Sequence, residues 1–396
     1  MKLNHYINIT PFNDLGYGVY GVSFGKLLEL YEPTNVSNLN LFAPDKCTSS
    51  ISEPYYPGFF PGKNERVIYH WHLDDTVVKH NDQHFRKNNY IHITHFETTK
   101  LKESELDYLK KYKPIVGVAS KWAVYVLINN GYPSDKIIQT PCVSPYDITN
   151  PKVTSLLYKL EDLFKYIGVQ YSLKIFSSGK WEVRKSHPEL INAVTDTKLP
   201  ITIFSCWNNP FTGGMKQPFA YLTENKWKLK NCFSLDDHLV YQFVNEFNAN
   251  ILCLPRIEKH SDIYNLYCAA DVYYACSKGE GWDLPAVEAI SQNCPVILSS
   301  NTAHLEYDNI YDFQKPIFKE TSIIPCKEAL AIDNVFFHGN VGNWYEPDYG
   351  KIVEALIFWH NHKQSFLNFD YTDRHIYKKK MLEDVGKFKI KLEQCH

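Results

Sequence analysis

Short apolar and β-branched runs recur along the chain, separated by stretches with helical spacing. In the first part, Tyr6–Thr10, Leu39–Ala43, Val67–Trp71, Tyr90–Thr94, Pro114–Ala119 and Ile137–Thr140 predict strands. Between them, Val19–Tyr31 predicts a helix, and Ser104–Lys113 places Leu106, Leu109 and Tyr112 on one helical side. Ser120 has the chemistry of an N-cap for a helix over Lys121–Asn130, which Gly131 ends and Pro133 follows. A second series follows a crossing segment, 144–165, where Leu156, Leu160 and Leu163 mark a helix. Its strands are predicted at Tyr171–Ser177, Ile201–Cys206, Ile251–Leu254, Asp271–Ser277 and Pro295–Ser299, with helices at Asp262–Ala270 and Tyr349–His360. Strands alternating with helices predict α/β architecture with doubly wound parallel sheets. From about residue 376, Leu382, Val385, Phe388 and Leu392 fall on one face of a helix that lysines otherwise crowd.

At 396 residues this pattern divides into two domains and a tail: 1–165, 166–375 and a closing helix over 376–396. Apolar residues make up 44% and charged residues 22%, which suits large buried cores. A net charge of −2 gives no nucleic-acid footprint. The 10 cysteines are scattered, without a C-x-x-C pair, and Cys206, Cys253, Cys268 and Cys276 adjoin apolar runs. That usage fits free thiols in a reducing compartment rather than a disulfide framework. No leader-like or membrane-spanning apolar stretch is visible, so a soluble, cytoplasmic protein is expected.

Chemistry concentrates in Asp271–Ser300, which reads as strand, loop, helix and strand: one right-handed βαβ unit. Pro285 marks the start of the helix. Glu280 in the loop and Glu288 in the helix bracket a first turn whose free N–H groups and partial positive charge suit an anionic or polar ligand. Upstream, the predicted strand Tyr171–Ser177 runs into Ser178-Gly179-Lys180-Trp181-Glu182-Val183-Arg184-Lys185. Cations at a strand end that opens a helix are placed to neutralise phosphate. In the first part, Gly16 and Gly18 are read as a loop that lets a ligand approach the backbone. His70-Trp71-His72 and His95-Phe96-Glu97 follow strands whose carboxyl ends would face a cleft. The histidine and aspartate spacings there fit no standard zinc pattern.

The string GEGWDLPAVEAI followed by Cys294-Pro295-Val296-Ile297 resembles the E-x7-E signature of retaining glycosyltransferases of the GT-B fold, family four. The resemblance implies two Rossmann-like domains facing across a cleft, with the acceptor on the N-terminal side and the nucleotide sugar on the C-terminal side. It implies that Glu280 contacts the donor sugar and Glu288 the ribose, and that Gly281, Trp282, Asp283 and Leu284 line the donor loop. Lys180, Arg184 and Lys185 match the family's cationic string around the diphosphate, while Arg256 and Ile257 fall where relatives meet the base. Gly16 and Gly18 match its N-terminal glycine-rich loop. His95 matches its cleft histidine, and Glu97, His70 and His72 are the acceptor-side candidates. Asp283 stands where the family usually has glycine, and PCVSPYD at 141–147 is a loose version of a family string without its glycine.

The activity so implied is transfer of a hexose from a GDP- or UDP-sugar to a hydroxyl of a glycan or other acceptor, with retention and without a metal or resident cofactor. Two alternatives stay open: a catalytically silent sugar-nucleotide binder, and a sugar-nucleotide epimerase on the same fold. A nicotinamide dehydrogenase is disfavoured, because no G-x-G-x-x-G follows the first strand. The closing basic helix is expected to pack back on the N-terminal domain, although its lysines would also suit peripheral contact with an acidic membrane surface.

Overall fold

The computed structural model describes residues 5–11, 16–31, 36–40, 65–74, 90–140, 154–209, 213–257, 259–307, 321–333, 337–363 and 382–391. In the first part, β1 (His5–Thr10), β2 (Val36–Asn40), β3 (Glu65–His70), β4 (Ile91–Ile93), β5 (Ile115–Val118) and β6 (Ile137–Gln139) form one sheet. Its order is β2-β1-β3-β4-β5-β6, and every pairing is parallel. Burial on both faces explains why β5 reads as a continuous apolar run rather than an alternating one.

The second sheet is built from β7 (Lys174–Gly179), β8 (Thr202–Trp207), β9 (Lys228–Leu235), β10 (His238–Val244), β11 (Asn250–Cys253), β12 (Val272–Ala275), β13 (Val296–Ser299) and β14 (Ile323–Ile324). Its order is β14-β13-β12-β7-β8-β11-β10-β9. The chain leaves β7 toward β8 on one side and returns to β12 on the other. A crevice therefore opens beyond the carboxyl ends of β7 and β12, where open α/β sheets hold their ligands. A separate hairpin, β15 (Cys326–Ile332) with β16 (His338–Pro347), lies outside both sheets.

The two sheets are joined from both directions. The helix Ser155–Tyr166 packs on the second sheet: Phe164 meets Phe204 at 5.6 Å, and Thr154 N–H donates to Asn265 Oδ1 at 3.1 Å. The helix over 382–391 instead returns to the first part, where Phe388 meets Phe24 edge-on at 5.4 Å and Val385 is buried. Burying two such side chains stabilises this docking by about 2 kcal/mol each.

Several expectations are corrected. Gly16 and Gly18 are not in a loop: the helix Gly16–Tyr31 starts at Gly16, so both sit in its first turn. β2 begins at Val36, three residues before the predicted Leu39. The helix Lys216–Glu224 and the antiparallel hairpin β9–β10, which extends the second sheet, were not predicted. Residues 340–347, for which no element was predicted, lie in β16. Residues 49–64, whose Pro and Gly content reads as a loop in the sequence, the string at 141–147 and Leu392 lie outside the described residues. No helix among the described residues is long and apolar enough to cross a membrane.

Candidate active site

Both halves of the predicted site meet at the crevice. Beyond β7, residues Val183–Lys185 make a short 3-10 turn, and Ser186, at φ 53°, hands the chain to the helix His187–Thr197. Arg184 is buried under the loop, 276–283, that follows β12. Its Nη1 donates to the Gly279 carbonyl at 2.7 Å and lies 2.9 Å from Glu280 Oε1. Its Nη2 lies 3.2 Å from Glu182 Oε2 and 3.8 Å from Glu97 Oε1. Lys185 Nζ sits 2.6 Å from Glu280 Oε1 and 3.7 Å from Asp283 Oδ1, while Lys180 Nζ sits 2.6 Å from Glu182.

Glu280 is only 5% exposed. Burial alone would raise its carboxyl, but Arg184 and Lys185 outweigh that and hold it at about 2. The same pairing reverses the effect of burial on Lys185, whose ammonium is pushed above its ordinary value. Both cations and the carboxylate are therefore charged over the whole physiological range.

Glu288 lies deeper, in the helix Leu284–Ser291, where its Oε2 accepts from Tyr267 Oη at 3.0 Å. Asp283 precedes that helix at φ 62°, ψ 68°, a left-handed conformation that favours glycine. Its carboxylate does not cap the helix; it faces His304 Nε2 at 2.8 Å. Trp282 and Leu284 turn into the core and are buried. Ile257 is likewise buried in the main core beyond β11, with Arg256 half-buried beside it.

The first part closes on this loop at its glycines. A side chain at Gly281 would place Cβ 2.5 Å from His95 Cβ, and one at Gly279 would run into the Glu97 carbonyl. The hairpin β15–β16 adds a backbone link: Thr99 N–H donates to Asn343 O at 3.0 Å and Lys100 N–H to Val341 O at 3.1 Å. His95 therefore sits against Gly281, packed at 5.2 Å from Tyr17 and 4.7 Å from Tyr20. Burial, helped by the neighbouring His72, lowers the His95 imidazole to about 4, so it is neutral at pH 7. His72 is exposed and stacks edge-on to Tyr17 at 4.7 Å. His70 is fully buried, with Nε2 2.7 Å from Asn8 Oδ1.

Lys180, Arg184, Lys185, Glu280, Gly281, Asp283, His95 and Glu97 are thus brought together, with Glu288 one helical turn behind them. Sequence reasoning quoted Glu182 within the cationic string but gave it no role; its signal was a lone acid among three cations. Thr302 and His304 lie in the string 299–306, which resembles the family loop after the Pro-Val-Ile strand but was given no role, while Tyr17 and Tyr267 carry no local motif and only the fold brings them to the site.

No protein-family model matches the chain. A stretch of 111 residues, 26% of the chain, is 27% identical to a protein of the Sulfolobus islandicus filamentous virus provisionally named glycosyltransferase 45, and it spans 28% of that protein's length. Among solved structures, Anabaena HepE in complex with UDP and glucose is 11% identical over 97% of this chain and 100% of its own, with a TM-score of 0.56. A glycosyltransferase from Rickettsia africae is 13% identical over 99% of each chain, with a TM-score of 0.55. WaaG, a glycosyltransferase involved in lipopolysaccharide biosynthesis, is 10% identical over 96% of this chain and 98% of its own, at 0.50. These likenesses establish the fold: two Rossmann-like domains in the GT-B arrangement.

Proposed function

We propose that this chain is a retaining glycosyltransferase that moves a hexose from a UDP-sugar to a hydroxyl of a carbohydrate acceptor. One observation carries the reading. Glu280 is held between Arg184 and Lys185, which lie about a hundred residues earlier in the chain, at the crevice of the second sheet. A weak acidic spacing and a separate cationic string thus become one charged constellation, on a fold shared with a structure solved with UDP and glucose.

In this reading the diphosphate lies beyond β7, against Lys180 and Lys185. Its oxygens compete with Glu182 for Lys180 and with Asp283 for Lys185. Glu280 meets the donor sugar, Glu288 the ribose, and neutral His95 hydrogen-bonds a sugar hydroxyl without adding charge. As the anomeric C–O bond breaks, negative charge grows on the departing phosphate, and cations already fixed there stabilise it without reorganisation. The acceptor hydroxyl attacks from the same face and passes its proton to the leaving phosphate, so configuration is kept. Arg184, fully engaged by Gly279 O and three carboxylates, holds Glu280 rather than the nucleotide. The reading invokes no resident metal or cofactor. His72 and Glu97 are the acceptor-side residues nearest the cleft.

A second reading has its own support: each described cation of the cluster is already matched by a carboxylate, as in a site that binds but does not turn over. The test separates them. UDP, GDP and UDP-glucose are compared by thermal shift, followed by donor hydrolysis and transfer to a panel of glycans. UDP stabilisation with product of retained anomeric configuration is expected. Stabilisation without any turnover selects the silent binder, and no shift with any nucleotide overturns both.

A further inference from the structure

The donor loop 277–283 is bonded along its length by one short 3-10 turn, Thr302–Glu306, and the asparagine before it. Asn301 Nδ2 donates to the Ser277 carbonyl at 2.9 Å. Thr302 Oγ1 accepts from the Glu280 N–H at 2.9 Å, and His304 Nε2 lies 2.8 Å from Asp283 Oδ2. Thr302 makes its bond from φ 44°, a conformation that β-branched residues rarely adopt. Strain of that kind persists where surrounding contacts over-determine it, and it clusters at functional sites.

The ring of His304 is the informative member. Nε2 faces a carboxylate, which accepts. Nδ1 lies 3.0 Å from both the Ser299 carbonyl and Ser299 Oγ. That hydroxyl already donates to the Ser277 carbonyl at 2.6 Å, so it has no proton left for the ring. Both ring nitrogens therefore meet acceptors, and both must donate. The charged and titratable groups facing the pair are Lys185, 3.7 Å from Asp283 Oδ1, Glu280 within electrostatic reach, and Tyr307, whose ring lies 5.4 Å away. Glu306, in the same turn, is turned to the Lys121 N–H.

We infer that His304 is held as an imidazolium and is a positioning residue: it cancels the charge of Asp283, so that Lys185 stays on Glu280 and the donor. The role rests on the transferase reading, whereas the protonation state does not. An acid at a left-handed position beside the catalytic carboxylate would otherwise compete with Glu280 for Lys185. The imidazolium removes that competition and adds a cation next to the loop.

The experiment has two arms. In ligand-free protein with 15N-labelled histidine, His304 is assigned by its loss in His304→Gln or its displacement in Asp283→Asn. Two protonated ring nitrogens at pH 7.5 are expected, returning to one in Asp283→Asn; a bare ring nitrogen in the wild type overturns the inference. In the second arm, UDP-sugar turnover is measured for His304→Gln, Asp283→Asn and the double variant. His304→Gln should lower kcat about tenfold with KM within about threefold, and the double variant should recover most of the loss, because neither charge then lacks its partner. A double variant no better than His304→Gln overturns the positioning role. Wild-type protein that turns over no donor would sink the proposed activity and, with it, the positioning role, while the ring state is still decided by the first arm.

Discussion

The two walls of the cleft are made of different material. The second domain presents ion pairs: Lys180 with Glu182, and Arg184 and Lys185 with Glu280. The first domain presents rings: Tyr17, Tyr20, Trp71 and His72 around a neutral His95. Charges this deeply buried are costly unless paired, so each cation of the donor wall comes with a carboxylate. A diphosphate can enter such a site by exchanging partners with fixed charges, without desolvating them anew. Apart from Glu97, which faces Arg184, the ring wall contributes no charge. It excludes water and raises the strength of every interaction opposite it. The division of labour is testable wall by wall.

The largest loss should follow Glu280→Gln, which leaves Arg184 and Lys185 without their shared carboxylate and, in the proposed reading, deprives the sugar of its contact. Turnover should fall by about 10²–10³, the scale of losing one fixed electrostatic group at a reacting centre. Steady-state rates with UDP-glucose would read it. If Glu280→Gln turns over at the wild-type rate, the donor wall is structural only.

Next comes Lys185→Ala. In the proposed reading its ammonium sits where charge develops on the departing phosphate, so kcat should drop about 100-fold while UDP affinity drops less than about tenfold. Calorimetry with UDP beside single-turnover kinetics separates the two. Equal losses in both would mean that Lys185 only binds.

How much of this contrast could be read beforehand differs between the walls. The donor wall was legible because its residues come in two short strings, 180–185 and 280–288, each lying beyond a strand. What the strings could not give was the pairing: Arg184 reads as a phosphate ligand by composition, yet it is buried beneath the Gly279 carbonyl and Glu280. The ring wall was poorly legible. Gly16 and Gly18 read as a loop, because glycine penalises helices, but tertiary packing overrides that propensity and the helix starts there. His70 and His72 look equivalent in sequence. β3 ends at His70, whose ring turns to Asn8 in the core, while His72 lies beyond the strand and is exposed. The hairpin β9–β10 went unread because its polar, exposed strand lacks an apolar face.

Glu288→Ala should act on binding alone. Its carboxylate is anchored by Tyr267, and in the proposed reading it holds the ribose, away from the bond that breaks. The UDP Kd should rise about tenfold, on the scale of one hydrogen bond to a charged group, with kcat at saturating donor little changed. A kcat loss as large as that of Lys185→Ala would place Glu288 at the reacting centre and erase the gradient along the donor wall.

The last effect is on stability rather than turnover; it belongs to the ring wall and its neighbours, and it concerns pH. Burial lowers His95 to about 4 and His92 and His187 to about 3, and drives His70 well below its ordinary value. Their unfolded-state value is near 6.5, so below that pH the unfolded chain binds protons that the folded chain refuses. The stability these rings contribute is therefore complete above about pH 6.5 and is lost as pH falls toward 4, by about 1.4 kcal/mol per pH unit for each ring. Glu280, depressed to about 2, starts to cost stability only below its ordinary value near 4.5. Melting temperature should thus fall steadily between pH 6.5 and 4.5, and His92→Gln should flatten the slope. Lys185→Ala should flatten the slope only slightly, since Lys185 adds to burial in lowering His187 but is not among the groups that lower His92. A melting temperature flat from pH 7 to 5 would mean that these imidazoles ionise inside the fold, and the neutral wall would have to be abandoned.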